Sequence, residues 1–256
     1  MDPSINYVQK GKGIPFVFQH GLGANITQAK SLFAPLKNVT FISMDCPGHG
    51  ASPISATFVP SFDYYANQLL SLLDYLKVKE AIFGGISMGA GIALNIALRF
   101  PERVNALVLV RPAWADKGKP ENLAILLEVA KNMGKQNGVM VYKENPVFKH
   151  IEKTLPLAAQ SLLGLFDPSQ SPEFPRVLQK MVEDRPFEDI AQLQKINKPC
   201  LIIGNDHDPL HPFEMAEHIH QNIPESRLSK VASRYLDESE HAKSVNQLVS
   251  TFIATL

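Results

Sequence analysis

Apolar residues fall into two kinds of stretch along this chain. The first kind is a short continuous run: residues 14–19, 39–44, 81–83, 104–110 and 200–203. Runs of that length bounded by turn residues predict strands buried on both faces, as in a parallel sheet. The second kind repeats with helical spacing. Phe62, Tyr65, Ala66, Leu69, Leu70 and Leu73 recur at three- and four-residue steps, so a helix buries that stripe. Further helices are expected over 28–36, directly after residue 87, near 213–223 and over about 244–253. Further strands are expected over 5–9 and near 228–235. Strand and helix alternate as far as Val110, which predicts an α/β fold with a doubly wound, mostly parallel sheet covered by helices on both faces.

From residue 112 to about 196 that alternation stops. Three apolar stripes remain, all with helical spacing: Leu123 to Ala130, Leu155 to Phe166 and Phe174 to Val182, punctuated by six prolines from Pro146 to Pro186. An insertion of about 80 residues is too long for a plain connection between strands. It is expected to form a helical cap (112–196) over the carboxyl edge of a core made by 1–111 and 197–256. Its acidic and basic residues balance, which gives no reason to expect a charged partner.

The chain has 256 residues, and 25 Lys plus Arg offset 25 Asp plus Glu. A balanced charge supplies no field for nucleic acid or an anionic membrane, so neither is an expected partner. No apolar stretch reaches the ~18 residues of a membrane span. The opening Met-Asp-Pro-Ser-Ile-Asn lacks the pattern of a secretion signal, and a cytoplasmic location is the expectation. Cys46 ends one expected strand and Cys200 begins another. In one parallel sheet they lie at opposite edges, beyond the ~7 Å that a disulfide can bridge.

Candidate chemistry concentrates in Gly84-Gly85-Ile86-Ser87-Met88-Gly89-Ala90-Gly91, between an expected strand and an expected helix. A strand, a sharp turn with one serine and a helix make the arrangement known as a nucleophile elbow. Gly85 and Gly89 carry no Cβ to collide across the turn. Gly91 is expected to let the helix lie close against the sheet. A serine hydroxyl is a weak nucleophile at neutral pH and needs a neighbouring base, which a carboxylate then orients. In a doubly wound sheet those partners come from loops at the carboxyl ends of other strands. Two such loops follow downstream: Gly204-Asn-Asp-His-Asp-Pro-Leu-His-Pro212, with Asp206 and Asp208, and Asp237-Glu-Ser-Glu-His241.

Four motifs in this order resemble those of the α/β-hydrolase superfamily: His20-Gly21-Leu22-Gly23, Asp45-Cys-Pro-Gly-His-Gly50, Gly85-Ile-Ser-Met-Gly89, and Asp208-Pro-Leu-His-Pro212 with His241 beyond it. Phe100-Pro-Glu-Arg-Val104 adds to the likeness, which spans nearly the whole chain and is nearest to capped carboxylesterases and enol-lactonases. The resemblance implies Ser87 as nucleophile, His241 as base, and the backbone N–H groups of Leu22 and Met88 as an oxyanion hole. It favours Asp208 over Asp206 as the acid, because the family places a proline four residues after it. The gap from Gly204 is nevertheless one residue longer than the family's usual three. The short amino terminus leaves no room for the family's opening hairpin, so about seven strands are expected instead of eight.

The remaining candidates have modest readings. His20 is expected to pack beneath the oxyanion loop, His49 to be a turn residue, and His150 to lie in the cap. Asp206, His207, Asp208 and His211 cluster in sequence, but no second cluster completes a metal set, so neither metal nor cofactor is expected. Trp114, Tyr142, Phe148, Phe166, Phe174 and Phe187 favour a small-molecule substrate with an uncharged apolar group, with Trp114 as a binding candidate. Arg111 ends an expected strand on the side of the site. It is expected to pair with a cap carboxylate, the alternative being a substrate carboxylate, and Pro112 is expected to keep its backbone extended. The resulting expectation is a serine hydrolase cleaving a small ester or lactone. The alternatives are carbon–carbon hydrolysis, lyase or perhydrolase chemistry on the same scaffold, or a ligand receptor with slow hydrolysis.

Overall fold

The computed structural model describes residues 4–33 and 36–256; positions 34 and 35, inside the helix expected over 28–36, lie outside the described residues. Seven strands, β1 (Tyr7–Gly11), β2 (Ile14–Gln19), β3 (Val39–Met44), β4 (Ala81–Ile86), β5 (Val104–Val110), β6 (Cys200–Asn205) and β7 (Ser226–Val231), form one sheet. Their order is β1-β3-β2-β4-β5-β6-β7. Only β1 runs antiparallel to its neighbour, Tyr7 opposite Met44 and Gly11 opposite Thr40. The other pairings are parallel.

The continuous apolar runs are explained by two cores, one on each face of the sheet. Along β5, Leu107 and Leu109 enter one core while Ala106, Val108 and Val110 enter the other. Along β4, Phe83 and Ile82 divide in the same way. Successive strand side chains point to opposite faces, so a strand covered on both sides must be apolar at every position. Helices α1 (Ile26–Ser31), α2 (Phe62–Tyr75) and α3 (Met88–Arg99) lie in the first half of the chain. Both α2 and α3 contribute their buried stripes to the first core, and Ala29 of α1 to the second.

Between β5 and β6 the described chain contains helices and no strand: α4 (Ala124–Asn132), α5 (Gly138–Lys143), α6 (Pro146–Thr154), α7 (Pro156–Leu163) and α8 (Phe174–Glu183), with short 3₁₀ turns at Glu121–Leu123, Gly164–Phe166 and Ile190–Lys195. Pro146 and Pro156 each open a helix, where the missing N–H removes no internal hydrogen bond. Helices α5 and α6 escape the sequence pattern because several of their apolar residues, Val139, Met140, Val141 and Val147, face solvent. The insertion is tied to the sheet's helices by polar contacts. Asp184 accepts the Phe62 N–H at 2.8 Å, and Asn95 donates to the Pro186 carbonyl at 2.8 Å.

After β6 come α9 (Phe213–Asn222), β7 and α10 (Glu238–Ile253). Two boundaries differ from expectation. Strand β7 stops at Val231, and α10 begins six residues earlier than its apolar stripe. Asp237 is the cause: its carboxylate caps the helix by accepting the Glu240 N–H at 2.9 Å. Both α10 and α1 cover the second face, where Val245, Val249 and Phe252 pack. Both cysteines are free and buried, and burial pushes their thiols up, away from the reactive thiolate. Among the described residues no helix is long and apolar enough to cross a membrane.

Candidate active site

Three neighbouring strands leave the carboxyl edge of the sheet through a residue with left-handed backbone: Ser87 after β4 (φ 55°), Arg111 after β5 (φ 49°) and His207 just beyond β6 (φ 52°). Such conformations cost about 1–3 kcal/mol each for non-glycine residues and persist only where the surroundings enforce them. Here the sheet enforces two of them. The Ser87 N–H donates to the Val110 carbonyl at 3.1 Å and the Arg111 N–H to the Ile203 carbonyl at 2.7 Å, extending the ladder one residue past each strand. Arg111 therefore departs from the extended backbone that Pro112 alone would favour.

Ser87 is the N-cap residue of α3, with ψ −110°. The turn closes only because two glycines face one another: a Cβ on Gly85 would lie 2.3 Å from the Gly89 carbonyl carbon, and one on Gly89 2.3 Å from the Gln19 oxygen. Gly91 serves a different contact from the one expected. Its open side meets the Phe62 ring of α2, where a Cβ would approach to 2.4 Å, and not the sheet. The Ser87 hydroxyl has no hydrogen-bond partner among the described residues, although the residue is buried.

Beside it runs the loop after β2. The His20 Nδ1–H donates to the Gly21 carbonyl at 2.8 Å, and its Nε2 accepts the Cys46 N–H at 3.0 Å, which assigns the tautomer. The Gly21 N–H donates to Gln28 Oε1 at 2.8 Å, and the Gly21 carbonyl also accepts from Ala24. These contacts fix the loop and leave the Leu22 N–H without a protein acceptor among the described residues. The Met88 N–H belongs to the first turn of α3, whose amides have no carbonyl one turn back within the helix. His49 packs edge-on against Tyr65 and Phe174 and at a tilt against His20, and burial holds its pKa down at about 3.

The two aspartates of the β6 loop separate. Asp206 is half exposed and pairs with Lys230. Asp208 is fully buried. One of its oxygens, Oδ2, accepts from Arg111 Nε at 2.9 Å and from Arg111 Nη2. The other, Oδ1, accepts the backbone N–H groups of Leu210 and His211, each at 3.2 Å, and lies 2.9 Å from His211 Nδ1. Burial pushes the Asp208 carboxyl up, and His211 and Arg111 more than reverse that, holding it below the usual range. The carboxylate partner of Arg111 is thus Asp208 of the core and no residue of the insertion, a correction to the sequence expectation. Within this loop the His207 carbonyl accepts from Ser233 Oγ at 3.0 Å.

His241 sits in the first turn of α10, not in an open loop. Its Nδ1–H donates to the Ala232 carbonyl at 2.8 Å, which leaves Nε2 as the bare nitrogen. The structure does not join Asp208 to His241 by a hydrogen bond. Asp208 instead raises the His241 pKa by its charge, against burial, the largest influence, and the charges of Arg111 and Arg234, which together hold that pKa down.

Ser87 lines a small cavity of about 80 Å³ with Leu123, Leu126, Leu162 and Leu165 of the insertion above it. Trp114 also lines it, held by a hydrogen bond from its indole N–H to the Met181 carbonyl at 3.1 Å. The other aromatic residues of the insertion are elsewhere: Tyr142 packs on Phe148 and Phe166, and Phe174 packs on His49. His241 lines a larger adjoining cleft of about 530 Å³, which shares Gln28, Ile86, Arg111 and Arg234 with the Ser87 cavity. His211 and Arg234, which the sequence did not single out for this site, both line the Ser87 cavity. No periodicity marks either residue; His211 is readable only as a neighbour of Asp208.

The arrangement of Asp208 sets an expected result. Asp208→Ala leaves the buried Arg111 guanidinium without its carboxylate and should destabilise the protein by about 3–5 kcal/mol. Asp206→Ala removes an exposed pair and should change stability by less than about 1 kcal/mol. Urea denaturation of the two variants checks this; equal losses would show that Arg111 finds another anion.

The family model described as the alpha/beta hydrolase fold matches residues 14–234. This chain belongs to that family. Its curated relatives are hydrolases, and so is this chain. It is 24% identical over 269 aligned positions to 3-oxoadipate enol-lactonase 2 of Acinetobacter baylyi, covering 97% of this chain and 92% of that enzyme. It is 30% identical over 223 positions to a pimeloyl-[acyl-carrier protein] methyl ester esterase of Neisseria meningitidis, covering 82% and 80%. Among solved structures, a meta-cleavage product hydrolase from Pseudomonas fluorescens superposes with a TM-score of 0.76 at 19% identity, covering 98% of this chain and 94% of that one. At that identity the likeness is one of fold.

Proposed function

We propose that this α/β hydrolase cleaves a small ester or lactone through an acyl-enzyme on Ser87. The observation that carries the reading is the Ser87 hydroxyl itself. Among the described residues it has no protein partner; it stands on a left-handed turn at the start of α3 and lines a cavity with Leu22, whose N–H has no acceptor among those residues either. In the acylation step His241 Nε2 takes the proton from Ser87 Oγ as Oγ bonds to the substrate carbonyl carbon. The negative charge that develops on the carbonyl oxygen is held by the N–H groups of Leu22 and Met88. Collapse of that intermediate breaks the ester C–O bond, and the proton on His241 passes to the departing alkoxide. Water, deprotonated by His241, then attacks the acyl carbon and releases the acid and Ser87.

Two features suit His241 to this role. The Ala232 carbonyl fixes the tautomer with Nε2 free, and the lowered pKa keeps the ring neutral near pH 7. Asp208 supports the imidazolium by its charge, which Arg111 keeps in place. A second reading has a specific observation behind it: His211 also lines the Ser87 cavity, with Nδ1 2.9 Å from Asp208 Oδ1. In that case the base and its carboxylate come from one loop. The leucines from the insertion suit a short apolar acyl chain, and the insertion acts as a cap that excludes water.

A fluorophosphonate probe should label Ser87, and a panel of p-nitrophenyl esters of increasing acyl length, with lactones and thioesters, should be turned over. Because the base must be neutral and its pKa lies below the ordinary 6.5, kcat/KM should rise with pH through a midpoint under 6.5 and then stay level. Labelling at another residue with activity retained would end the serine-hydrolase reading. Labelling without turnover of any ester or lactone would favour the receptor or carbon–carbon alternatives.

A further inference from the structure

We propose that the substrate carries a carboxylate and that Arg234 reads it. The inference rests on the hydrolase reading and names its substrate class. The lining of the Ser87 cavity includes two guanidiniums, those of Arg111 and Arg234, and no Asp or Glu among the described residues. Both sit on one ring: the guanidinium carbon of Arg111 is 5.6 Å from the Tyr235 centroid and that of Arg234 is 5.5 Å.

Only one of them has a buried partner. Arg111 is paired through Nε and Nη2 with Asp208, which is buried and is not among the residues that line the cavity. Arg234 is paired at 3.3 Å with Glu238, whose side chain is 77% exposed. A salt bridge to so exposed a partner is weak and screened by salt. An anion entering beside Arg234 therefore exchanges a solvated carboxylate for one inside the site, at little loss.

The position of Arg234 also suits recognition. It lies in the turn directly after β7, anchored on one side by Ser233, whose hydroxyl donates to the His207 carbonyl and accepts the Tyr235 N–H at 3.2 Å. It lines both the Ser87 cavity and the larger cleft that holds His241, which puts the residue at the junction of the two, and its partner Glu238 lines the cleft as well. A substrate with an apolar chain under the cap leucines, its ester at Ser87 and its carboxylate at that junction would satisfy both walls. This replaces the uncharged substrate expected from the aromatic residues of the insertion, only one of which, Trp114, lines the cavity.

The test uses a matched pair, methyl hydrogen glutarate and methyl pentanoate, which differ by a carboxylate in place of a methyl group. The wild-type protein should prefer the anionic ester. The ratio of kcat/KM values, anionic over neutral, should fall by about 10- to 150-fold in Arg234→Gln and recover in part in Arg234→Lys. Glu238→Gln removes the competing carboxylate and should lower KM for the anionic ester, an effect that a merely structural role of Arg234 does not produce. A preference for the neutral ester, or a ratio unmoved in Arg234→Gln, overturns the proposal. Fluorophosphonate labelling of Ser87 needs no carboxylate and tests the hydrolase reading separately. Should neither ester turn over, calorimetric titration with glutarate decides: binding to wild type that is lost in Arg234→Gln supports the proposal, and no binding to wild type refutes it.

Discussion

Ser87→Ala should lower kcat by roughly 10⁴- to 10⁶-fold while the protein remains folded. The substitution removes a single oxygen that makes no hydrogen bond within the described protein, so no buried partner is left unsatisfied. Alanine tolerates the left-handed turn about as poorly as serine does, and the constraints that enforce the turn, the Val110 carbonyl and the Gly85–Gly89 contact, remain in place. Stability should therefore change little while the chemistry disappears. The residual rate tests what the Leu22 and Met88 amides, proposed as the oxyanion hole, achieve without a nucleophile. Measuring kcat and the thermal midpoint on the same sample checks both halves. A loss of less than tenfold in kcat, with the fold intact, would place the nucleophile elsewhere.

Removing the proposed base, His241, should have the next largest effect. His241→Gln retains a hydrogen-bonding group that can still reach the Ala232 carbonyl but has no basic nitrogen, and kcat should fall by roughly 10³- to 10⁴-fold or more. His211→Gln should reduce kcat by about tenfold or less, because its ring supports Asp208 through one contact among several. The pH profile separates the two histidines independently: the residual activity of His241→Gln should lose the rise below pH 6.5, whereas His211→Gln should keep it. The opposite ranking would assign proton transfer to His211, and with it an acid and base drawn from the single loop after β6. Both variants keep a polar side chain of similar reach, so unfolding is not the expected source of either loss.

Part of this site is legible in the amino-acid sequence alone. The elbow can be read because its chemistry is local: a sharp turn needs glycine two residues before and after the serine, and those positions are fixed by the chain itself. The His20-Gly21-Leu22-Gly23 loop and the loop after β6 are legible for a similar reason, since each follows an apolar run that ends at the same edge of the sheet. The partner of Arg111 is not. Arg111 and Asp208 lie on different strands' loops, and nothing local to either states that they will meet. The start of α10 has a signal that apolar periodicity ignores, namely Asp237 at the N-cap position, whose carboxylate accepts the Glu240 N–H.

The amino-acid sequence by itself determined the alternation of strand and helix, the interruption by a helical insertion and the serine on its turn. Burial on two faces and close backbone approach leave their marks on consecutive residues, so those features are written along the chain. The tertiary structure alone decided how the charges are shared. Neighbouring strands bring Arg111 and Asp208 together, which turns one arginine into a structural counter-ion. The turn after β7 brings Arg234 to the same ring with only an exposed partner. A charge acts through distance and burial, not through its place in the sequence, so which arginine has a buried partner and which an exposed one is decided only when the sheet is assembled.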